Sequence, residues 1–266
     1  MVQDWLTYLE NASIYSPGII ALLIIAGFLV GFINTIAGSG TAITYSLFMA
    51  LGLPANMANG TIRLGVIMQT LAATLNFKKH GKLEWRRGFI LGIPVVLGSI
   101  TGAKIAVEIN EGIFEKILAV ILLLMLFFIF HKPEKWLKGQ LHKIQQKPTF
   151  IQLLLFFSTG LYGGFIHIGV GIFLLSVLVL NAGYDLVKAN ALKVMVVFLY
   201  SPFALLVFIM SDQVYFTMGL ISAIGNVAGG LVGSTLAIKK GTSFVKWILV
   251  IVIVAFASHL LGLFSL

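Results

Sequence analysis

Residues 38–61, GSGTAITYSLFMALGLPANMANGT, decide the fold because they interrupt an otherwise apolar chain with glycines, one proline and small polar side chains. The apolar run 41–53 has 13 residues, which as a helix cover about 20 Å of a hydrocarbon core about 30 Å thick. A short or broken helix is tolerated at membrane depth only inside protein or beside a cavity. We therefore expect this stretch to line an internal site.

A second copy of this stretch lies 131 residues later in the chain. The residues that match at this one constant shift are Gly38 and Gly169, Gly40 and Gly171, Gly52 and Gly183, Asn59 and Asn190, Gly88 and Gly219, Gly98 and Gly229, and Gly102 and Gly233. Glycine is common in this chain, with 28 of 266 residues, but an unbroken spacing over so many pairs is not expected by chance. The sequence therefore predicts an internal duplication.

The composition is that of a polytopic membrane protein. Hydrophobic residues make up 59% of the chain, charged residues 10%, and the mean hydropathy is +1.04. The absence of cysteine excludes disulfides, thiolate metal sites and cysteine nucleophiles. The net charge is +9, and we interpret the basic residues responsible for it as anchors in cytoplasmic loops. We therefore expect a lipid bilayer rather than nucleic acid as partner.

The apolar runs predict an all-α fold with about ten membrane segments, five in each half. The predicted segments are 17–37, 41–53, 58–77, 88–107 and 112–130, then 150–168, 171–182, 188–210, 214–238 and 243–263. The basic linker 131–149 separates an N-terminal repeat, 1–130, from a C-terminal repeat, 150–266. Small residues four apart in 88–107 predict a central helix that packs on both sides, and residues 2–12 have the spacing of an interfacial helix.

The loop charges predict how the chain crosses the membrane. Loops 78–87, 131–149 and 239–246 are basic and should be cytoplasmic, whereas 108–115 and 211–215 carry acids and should lie outside. If every segment crosses, both termini lie outside; whether the two short segments cross or re-enter stays open. Because equivalent loops of the two copies carry opposite charge, we expect an inverted-topology duplication, which is typical of secondary transporters.

In transporters of this architecture the substrate site lies near the midplane, where broken helices of both halves meet. The matching breaks here are at Gly38 and Gly40 in the first copy and at Gly169 and Gly171 in the second. Free backbone N–H groups at helix starts attract anions. We expect the backbone of these four glycines to contribute to substrate binding at the repeat interface.

Two cations, Arg63 and Lys193, stand at nearly equivalent places within otherwise apolar segments. A charge inside a membrane is costly and usually faces a cavity, a partner or a ligand. All nine acidic residues fall in or near predicted loops, so no intramembrane carboxylate is available to neutralise the two cations. We expect them to coordinate an anion jointly; the alternative is that each side chain reaches towards the nearer membrane surface.

Other polar residues at the breaks are weaker candidates for the same site. Asn59 and Asn190 either contact substrate or cap the helices that we expect to start there. Ser39, Thr41 and Thr61 either line the site or bond to their own backbone.

His167 lies beside the second break and is a candidate for proton coupling, with a structural histidine as the alternative. Gln69 and Tyr200 occupy equivalent positions in the two copies. We expect them either to line the site or to form interhelical hydrogen bonds. The sequence around Ser39 is faintly similar to a serine-protease turn, with His167 or His259 as base, which leaves an intramembrane enzyme as a further alternative. An anion channel is the other alternative, although paired short helices argue against a continuous pore.

The doubled pattern resembles the TauE/SafE family of sulfite exporters. The resemblance rests on GFINTIAGSG (31–40) with LPANMANGT (53–61), and on GLYGGFIHIGVG (160–171) with VKANALK (187–193). It covers nearly the whole chain and implies transport of sulfite, thiosulfate, a sulfonate or a related small organic anion across the bacterial inner membrane.

The two copies differ in one place that carries the resemblance: the first has Asn34-Thr35 where the second has Gly163-Gly164. No ATP-binding motif of the form GxxxxGK[ST] is present in the sequence, so we expect a transporter that does not itself hydrolyse ATP, and we expect no cofactor or metal. Whether the chain forms a homodimer stays open.

Overall fold

The computed structural model describes residues 14–110, 113 and 148–260, and in these ranges every regular element is a helix. The helices are α1 Pro17–Ile36, α2 Thr41–Ala50, α3 Ala55–Lys79, α4 Trp85–Glu108, α5 Phe150–Phe165, α6 Val170–Ser176, α7 Leu186–Met210 and α8 Phe216–Leu260. A π-helical segment, Val177–Asn181, continues α6. The interfacial helix predicted at 2–12, nearly all of the segment predicted at 112–130 and most of the linker lie outside the described residues.

Four of these helices are long and apolar enough to cross a membrane: α1, α4, α7 and the part Phe216–Ile248 of α8. The chain is therefore a multi-pass membrane protein. Helix α3 has 25 residues but is less apolar, because it carries buried polar side chains such as Arg63 and Gln69. Such a helix is stable in a membrane only where neighbouring helices surround its polar face.

The helix starts follow from local chemistry. Pro17 opens α1 behind Ser16, whose hydroxyl accepts a hydrogen bond from the N–H of Ile19. Thr149 and Gln152 form a reciprocal capping box at the start of α5. These contacts place the first helix of each half within one residue of its predicted start.

The breaks after α1 and α5 are confirmed at the predicted glycines. Gly38 and Gly169 both have left-handed backbone, with φ of 86° and 73°, a conformation that glycine adopts without steric cost. The break after α5 is longer by two residues, because α1 ends at Ile36 and α5 ends at Phe165. The matching short helices have 10 residues in α2 and 7 in α6, too few to cross the hydrocarbon core.

The break predicted between the last two segments is present within 239–246, but it is a kink at one glycine and not an extended loop. Helix α8 continues through this region and is interrupted only at Gly241, where φ is 72° and ψ is −164°. A single glycine in left-handed backbone redirects the chain, so no extended loop is needed.

The helices of the two halves pack across each other in a reciprocal pattern. Helix α1 packs on α8, and its counterpart α5 packs on α4. Helix α3 likewise packs on α8, and its counterpart α7 packs on α4, while α3 and α7 pack together. Each half thus buries its helices against the other half.

Glycines permit this close approach, as predicted for α4. A methyl group at Gly98 would overlap the carbonyl oxygen of Phe157 in α5, and one at Gly88 would overlap the sulfur of Met195 in α7. Helix α4 therefore packs on two sides, which confirms the prediction from its small residues. In α8 the counterpart of Gly98 is Gly229, and it lies against the carbonyl of Phe28 in α1.

Candidate functional site

The two glycine breaks touch at the centre of the bundle. The backbone N–H of Gly171 donates to the carbonyl oxygen of Gly38 across 3.1 Å, and a methyl group on either residue would overlap the backbone of the other. Nearby, the N–H of Gly40 donates to Oδ1 of Asn34 across 2.7 Å. Gly169 supplies the left-handed turn before α6. The structure therefore brings together the broken segments of both halves.

A narrow pocket of about 10 Å³ lies beside this contact, with room for roughly one water molecule. Its polar lining comes from both halves: Asn34 of α1, Gln69 and Thr70 of α3, His167 of the second break and Lys193 of α7. Gly38, Gly171 and four valines complete the wall. The pocket is too small for a multi-atom ligand, so a ligand of that kind requires its walls to separate.

Lys193 is the cation of this pocket. Its side chain is 1% exposed, and Nζ donates to the carbonyl oxygens of Asn34 and Thr35 at 2.9 and 3.0 Å. These carbonyls belong to the last turn of α1, which has no intrahelical donors for them and carries partial negative charge. An ammonium group has three N–H donors, so these two bonds leave one for another acceptor.

Arg63 occupies the corresponding place at the end of α5. Its side chain is fully buried, and its two terminal nitrogens donate to the carbonyls of Gly163 at 3.1 Å and Gly164 at 2.6 Å. The guanidinium carbon also lies 4.7 Å from the centroid of the Phe208 ring. The residues that line the pocket do not include Arg63.

The two cations therefore bond across the halves in a reciprocal way. Arg63 of the first half bonds to Gly163-Gly164, and Lys193 of the second half bonds to Asn34-Thr35, the matching pair of residues. Neither side chain reaches an exposed surface, which contradicts the alternative of two cations extending to the membrane surfaces. Arg63 lies about two turns into α3, because the helix begins at Ala55, three residues before the predicted segment 58–77.

The expectation that Asn59 and Asn190 start helices is wrong. Helix α3 starts three residues before Ala58, directly after Pro54, and α7 starts after Asp185, whose carboxylate accepts two backbone N–H bonds. Asp185 supplies the cap of α7, and Pro54 occupies the N-cap position of α3, so each asparagine lies in the second turn of its helix.

The two asparagines instead lie inside the helices, and they are not equivalent. Nδ2 of Asn59 donates to the carbonyl of Phe165 across 2.8 Å, and its Oδ1 accepts a bond of 3.4 Å from Arg63. Asn190 is 0% exposed, yet neither polar atom of its amide has a hydrogen-bond partner among the described residues. A buried amide without partners is costly, so Asn190 is a place where a ligand or water could bind.

The hydroxyl candidates lie away from the pocket lining. Thr61 donates to the carbonyl of its own helix at Met57 and accepts from the N–H of Tyr215, at 2.7 and 2.9 Å. Ser39 and Thr41 are buried, and their hydroxyls have no hydrogen-bond partner among the described residues. Of the predicted site residues, Gly38, Gly171, His167 and Lys193 line the pocket.

His167 makes a side-chain contact that the sequence left open. Its Nδ1 lies 3.0 Å from the hydroxyl oxygen of Tyr200, and the histidine is 3% exposed. The catalytic Ser–His contact that the enzyme alternative requires is not formed between Ser39 and His167. The side chain of His259 lies outside the described residues.

Sequence reasoning did not identify Asn34 and Thr70 as pocket residues. Gln69 was left open between a pocket wall and an interhelical bond, and it is both: it lines the pocket, and Nε2 donates to Thr35 Oγ1 across 3.3 Å. The difference between Asn34-Thr35 in the first copy and Gly163-Gly164 in the second could have pointed to Asn34 as a pocket residue, because the first pair brings polar side chains to the end of α1.

A multi-pass helical bundle with paired broken helices and a buried cationic pocket defines a class of membrane transport protein. Residues 23–260 match the family model described as sulfite exporter TauE/SafE. The match spans most of the chain, and the chain belongs to this family, which confirms the resemblance.

Related proteins carry names of the same kind. The chain is 29% identical over 244 residues to "Probable membrane transporter protein ORF9" of Sinorhizobium sp, covering 92% of this chain and 93% of that protein. It is 28% identical over 233 residues to a "Probable membrane transporter protein" of Haemophilus influenzae, covering 88% and 91%. It is 24% identical over 246 residues to "Probable membrane transporter protein YfcA" of Escherichia coli, covering 92% and 91%. No solved structure matches significantly.

Proposed function

We propose that this chain is a secondary transporter that moves a small anion, namely sulfite, thiosulfate or an organosulfonate, by alternating access at the interface of its two halves. The observation that carries the proposal is Lys193. It is a buried cation in the wall of a pocket where the broken helices of both halves meet, and among the described residues its hydrogen-bond partners are two neutral carbonyl oxygens.

The charge of the pocket favours an anion. Among the described residues no Asp or Glu lines it, so Lys193 is not neutralised by an ion pair there. A buried charge without a counter-charge is costly, and a bound anion would supply the missing charge. The third N–H of Lys193 and the second N–H of the Gln69 amide are donors for anionic oxygens, whereas the N–H groups of Gly38, Gly40 and Gly171 are already bonded within the protein.

Arg63 supports the same site from a distance in this proposal. It holds the last carbonyls of α5 and so fixes the helix end that leads into the second break. Because Arg63 does not line the pocket, Lys193 contacts the anion and Arg63 positions the backbone around it. The sequence predicted that both cations coordinate the anion; in this proposal only Lys193 does so, and Arg63 has a positioning role.

The proposed architecture is a pair of inverted five-segment repeats in the bacterial inner membrane, with both termini outside. Two observations support the duplication: the reciprocal packing of matching helices, and the left-handed glycines at matching breaks. The opposite charges of equivalent loops support the inversion, since the loop around Lys82 is basic and its counterpart carries Asp212.

Alternating access is supported by contacts that join the halves at both ends of α3. At one end Glu84 lies 3.8 Å from Lys188, which precedes the pocket residues of α7. At the other end the hydroxyl of Thr61 accepts from the N–H of Tyr215 before α8. With both contacts formed, the pocket holds little more than a water molecule. A transporter opens these contacts in turn, whereas a channel would open both together.

Counterflow in proteoliposomes tests the proposal. Vesicles preloaded with unlabelled sulfite should take up labelled sulfite faster than vesicles without internal sulfite, and the rate should saturate with concentration. Thiosulfate and a small sulfonate tested as competitors rank the substrates. A rate that rises linearly with concentration and shows no counterflow would indicate a channel and contradict alternating access.

A further inference from the structure

We propose that this pocket binds a proton at His167 together with the anion, so that the protein is an anion–proton cotransporter in which Tyr200 positions the histidine. This inference rests on the proposed function and names its coupling ion. One proton from one aqueous side forms an N–H bond on the imidazole and is released on the other side with the anion. No bond within the anion changes.

The geometry gives the two imidazole nitrogens different tasks. Nδ1 is held by the hydroxyl of Tyr200 at 3.0 Å, while the ring of His167 forms part of the pocket wall next to Gly171. Nε2 is therefore the nitrogen left to exchange a proton with the pocket. Imidazole is the side chain whose charge changes between about pH 5 and 8, which suits reversible proton transfer.

Tyr200 can hold His167 in either protonation state. Its hydroxyl is both a donor and an acceptor. It donates to an unprotonated Nδ1, and it accepts from Nδ1–H when the imidazole carries both protons. The contact therefore survives gain and loss of the proton, and the buried ring keeps its partner throughout the cycle.

The proton site belongs to only one half of the duplication. His167 lies in the two residues by which the second break exceeds the first, and α1 is followed at once by Ala37 and Gly38. Duplication alone therefore does not account for this histidine. One proton site, His167, and one anion-binding lysine, Lys193, would give a fixed stoichiometry of protons to anions in each transport cycle.

The charged groups around His167 make proton and anion binding mutually favourable. The charged or titratable groups around it are Tyr200, which contacts it, Lys193, which lines the same pocket, and Arg63 from α3, and no Asp or Glu among the described residues lines the pocket. A proton on His167 in the empty pocket would add a positive charge to a site that already holds cations. An anion offsets that charge, so each ligand raises the affinity for the other.

Two assays with reconstituted protein test the inference, with sulfite as the probe. Wild-type vesicles carrying an internal pH dye should show proton movement in the direction of the anion when a sulfite gradient is imposed. A pH gradient alone should drive accumulation of labelled sulfite. The His167→Gln variant should lose gradient-driven accumulation of sulfite down to the gradient-free level, and it should show no proton movement when a sulfite gradient is imposed. The exposed His80→Gln is the matched control and should behave as wild type.

Tyr200→Phe removes only the hydroxyl and should shift the pH at which sulfite uptake is half-maximal, whereas a purely structural role would lower uptake equally at every pH. Wild-type protein that catalyses counterflow but moves no protons when a sulfite gradient is imposed would overturn the inference and leave the proposed function intact. Loss of counterflow itself in wild type would instead overturn the proposed function. If His167→Gln does not fold, the dye assay on wild type still decides the question.

Discussion

The N–H of Gly171 donates to the carbonyl oxygen of Gly38 across 3.1 Å, and through this bond the broken segments of the two halves meet. The two residues are 133 positions apart and come from the two matching breaks, in which Gly38 is the counterpart of Gly169 and Gly40 that of Gly171. Their contact forms one wall of the pocket that also contains Lys193 and His167. The packing of glycine on glycine leaves no room for a side chain there, which makes the crossing point sensitive to substitution.

Gly38→Ala should destabilise the protein more than Gly52→Ala. Both glycines have positive φ, 86° and 88°, so alanine at either position carries a strain of about 1–2 kcal/mol. Only at Gly38 does the new methyl group also overlap the backbone of Gly171, which adds an overpacking cost of about 1–3 kcal/mol. Melting temperatures in detergent measure the difference. Equal losses would contradict the close contact between the breaks.

Arg63→Lys should lower stability even though it keeps the charge. Arg63 donates from two separate nitrogens to the carbonyls of Gly163 and Gly164 and to Oδ1 of Asn59, whereas lysine has a single nitrogen at its tip, and a buried acceptor left without a donor costs about 1–3 kcal/mol. The exposed Arg86→Lys is the control and should change stability by less than about 0.5 kcal/mol. Thermal unfolding is the measurement. A stable Arg63→Lys variant with selectively weakened sulfite affinity would place Arg63 at the ligand instead.

Gly98→Ala and Gly229→Ala should have similar costs, because each methyl group would overlap a carbonyl oxygen of the first helix in the other half. We expect about 1–3 kcal/mol for each, from overpacking. Leu97→Ala, at a side chain that is 56% exposed on the outer face of α4, is the control and should cost less. Clearly unequal losses in the two glycine variants would argue against equivalent packing of α4 and α8.

Single cysteines should reveal the inverted topology, because the chain contains none of its own. Lys82→Cys and Ser211→Cys place one thiol in each of two equivalent, exposed loops. A membrane-impermeant maleimide should label Ser211→Cys in intact cells and label Lys82→Cys only after permeabilisation. Labelling of both variants from the same side would rule out the inversion.

Much of the fold could be predicted from the sequence because its signals are local. Pro17 and Thr149 mark helix starts, and Gly38 and Gly169 mark breaks, by chemistry that acts within a few residues. The same local approach failed at Asn59, because the helix begins directly after Pro54 and contains the asparagine.

The partners of the two cations could not be predicted in this way. Arg63 bonds to residues 100 and 101 positions away, and Lys193 to residues 158 and 159 positions away. The duplication indicated that the two halves meet, but it did not indicate that each cation would hold the helix end of the other half. Every residue has a backbone carbonyl, so the sequence does not show which carbonyls accept hydrogen bonds from a distant side chain. These partners could be identified only from the three-dimensional structure.

The central claim is that Lys193 binds the transported anion, and the most direct test is concentration-dependent sulfite counterflow of Lys193→Ala beside Lys104→Ala. Lys104 is an exposed cation on α4 that does not line the pocket, so its replacement controls for loss of a positive charge from a membrane helix. We expect that Lys193→Ala remains folded and loses saturable counterflow, at least tenfold, while Lys104→Ala keeps it. Undiminished, saturable counterflow in Lys193→Ala would contradict the account.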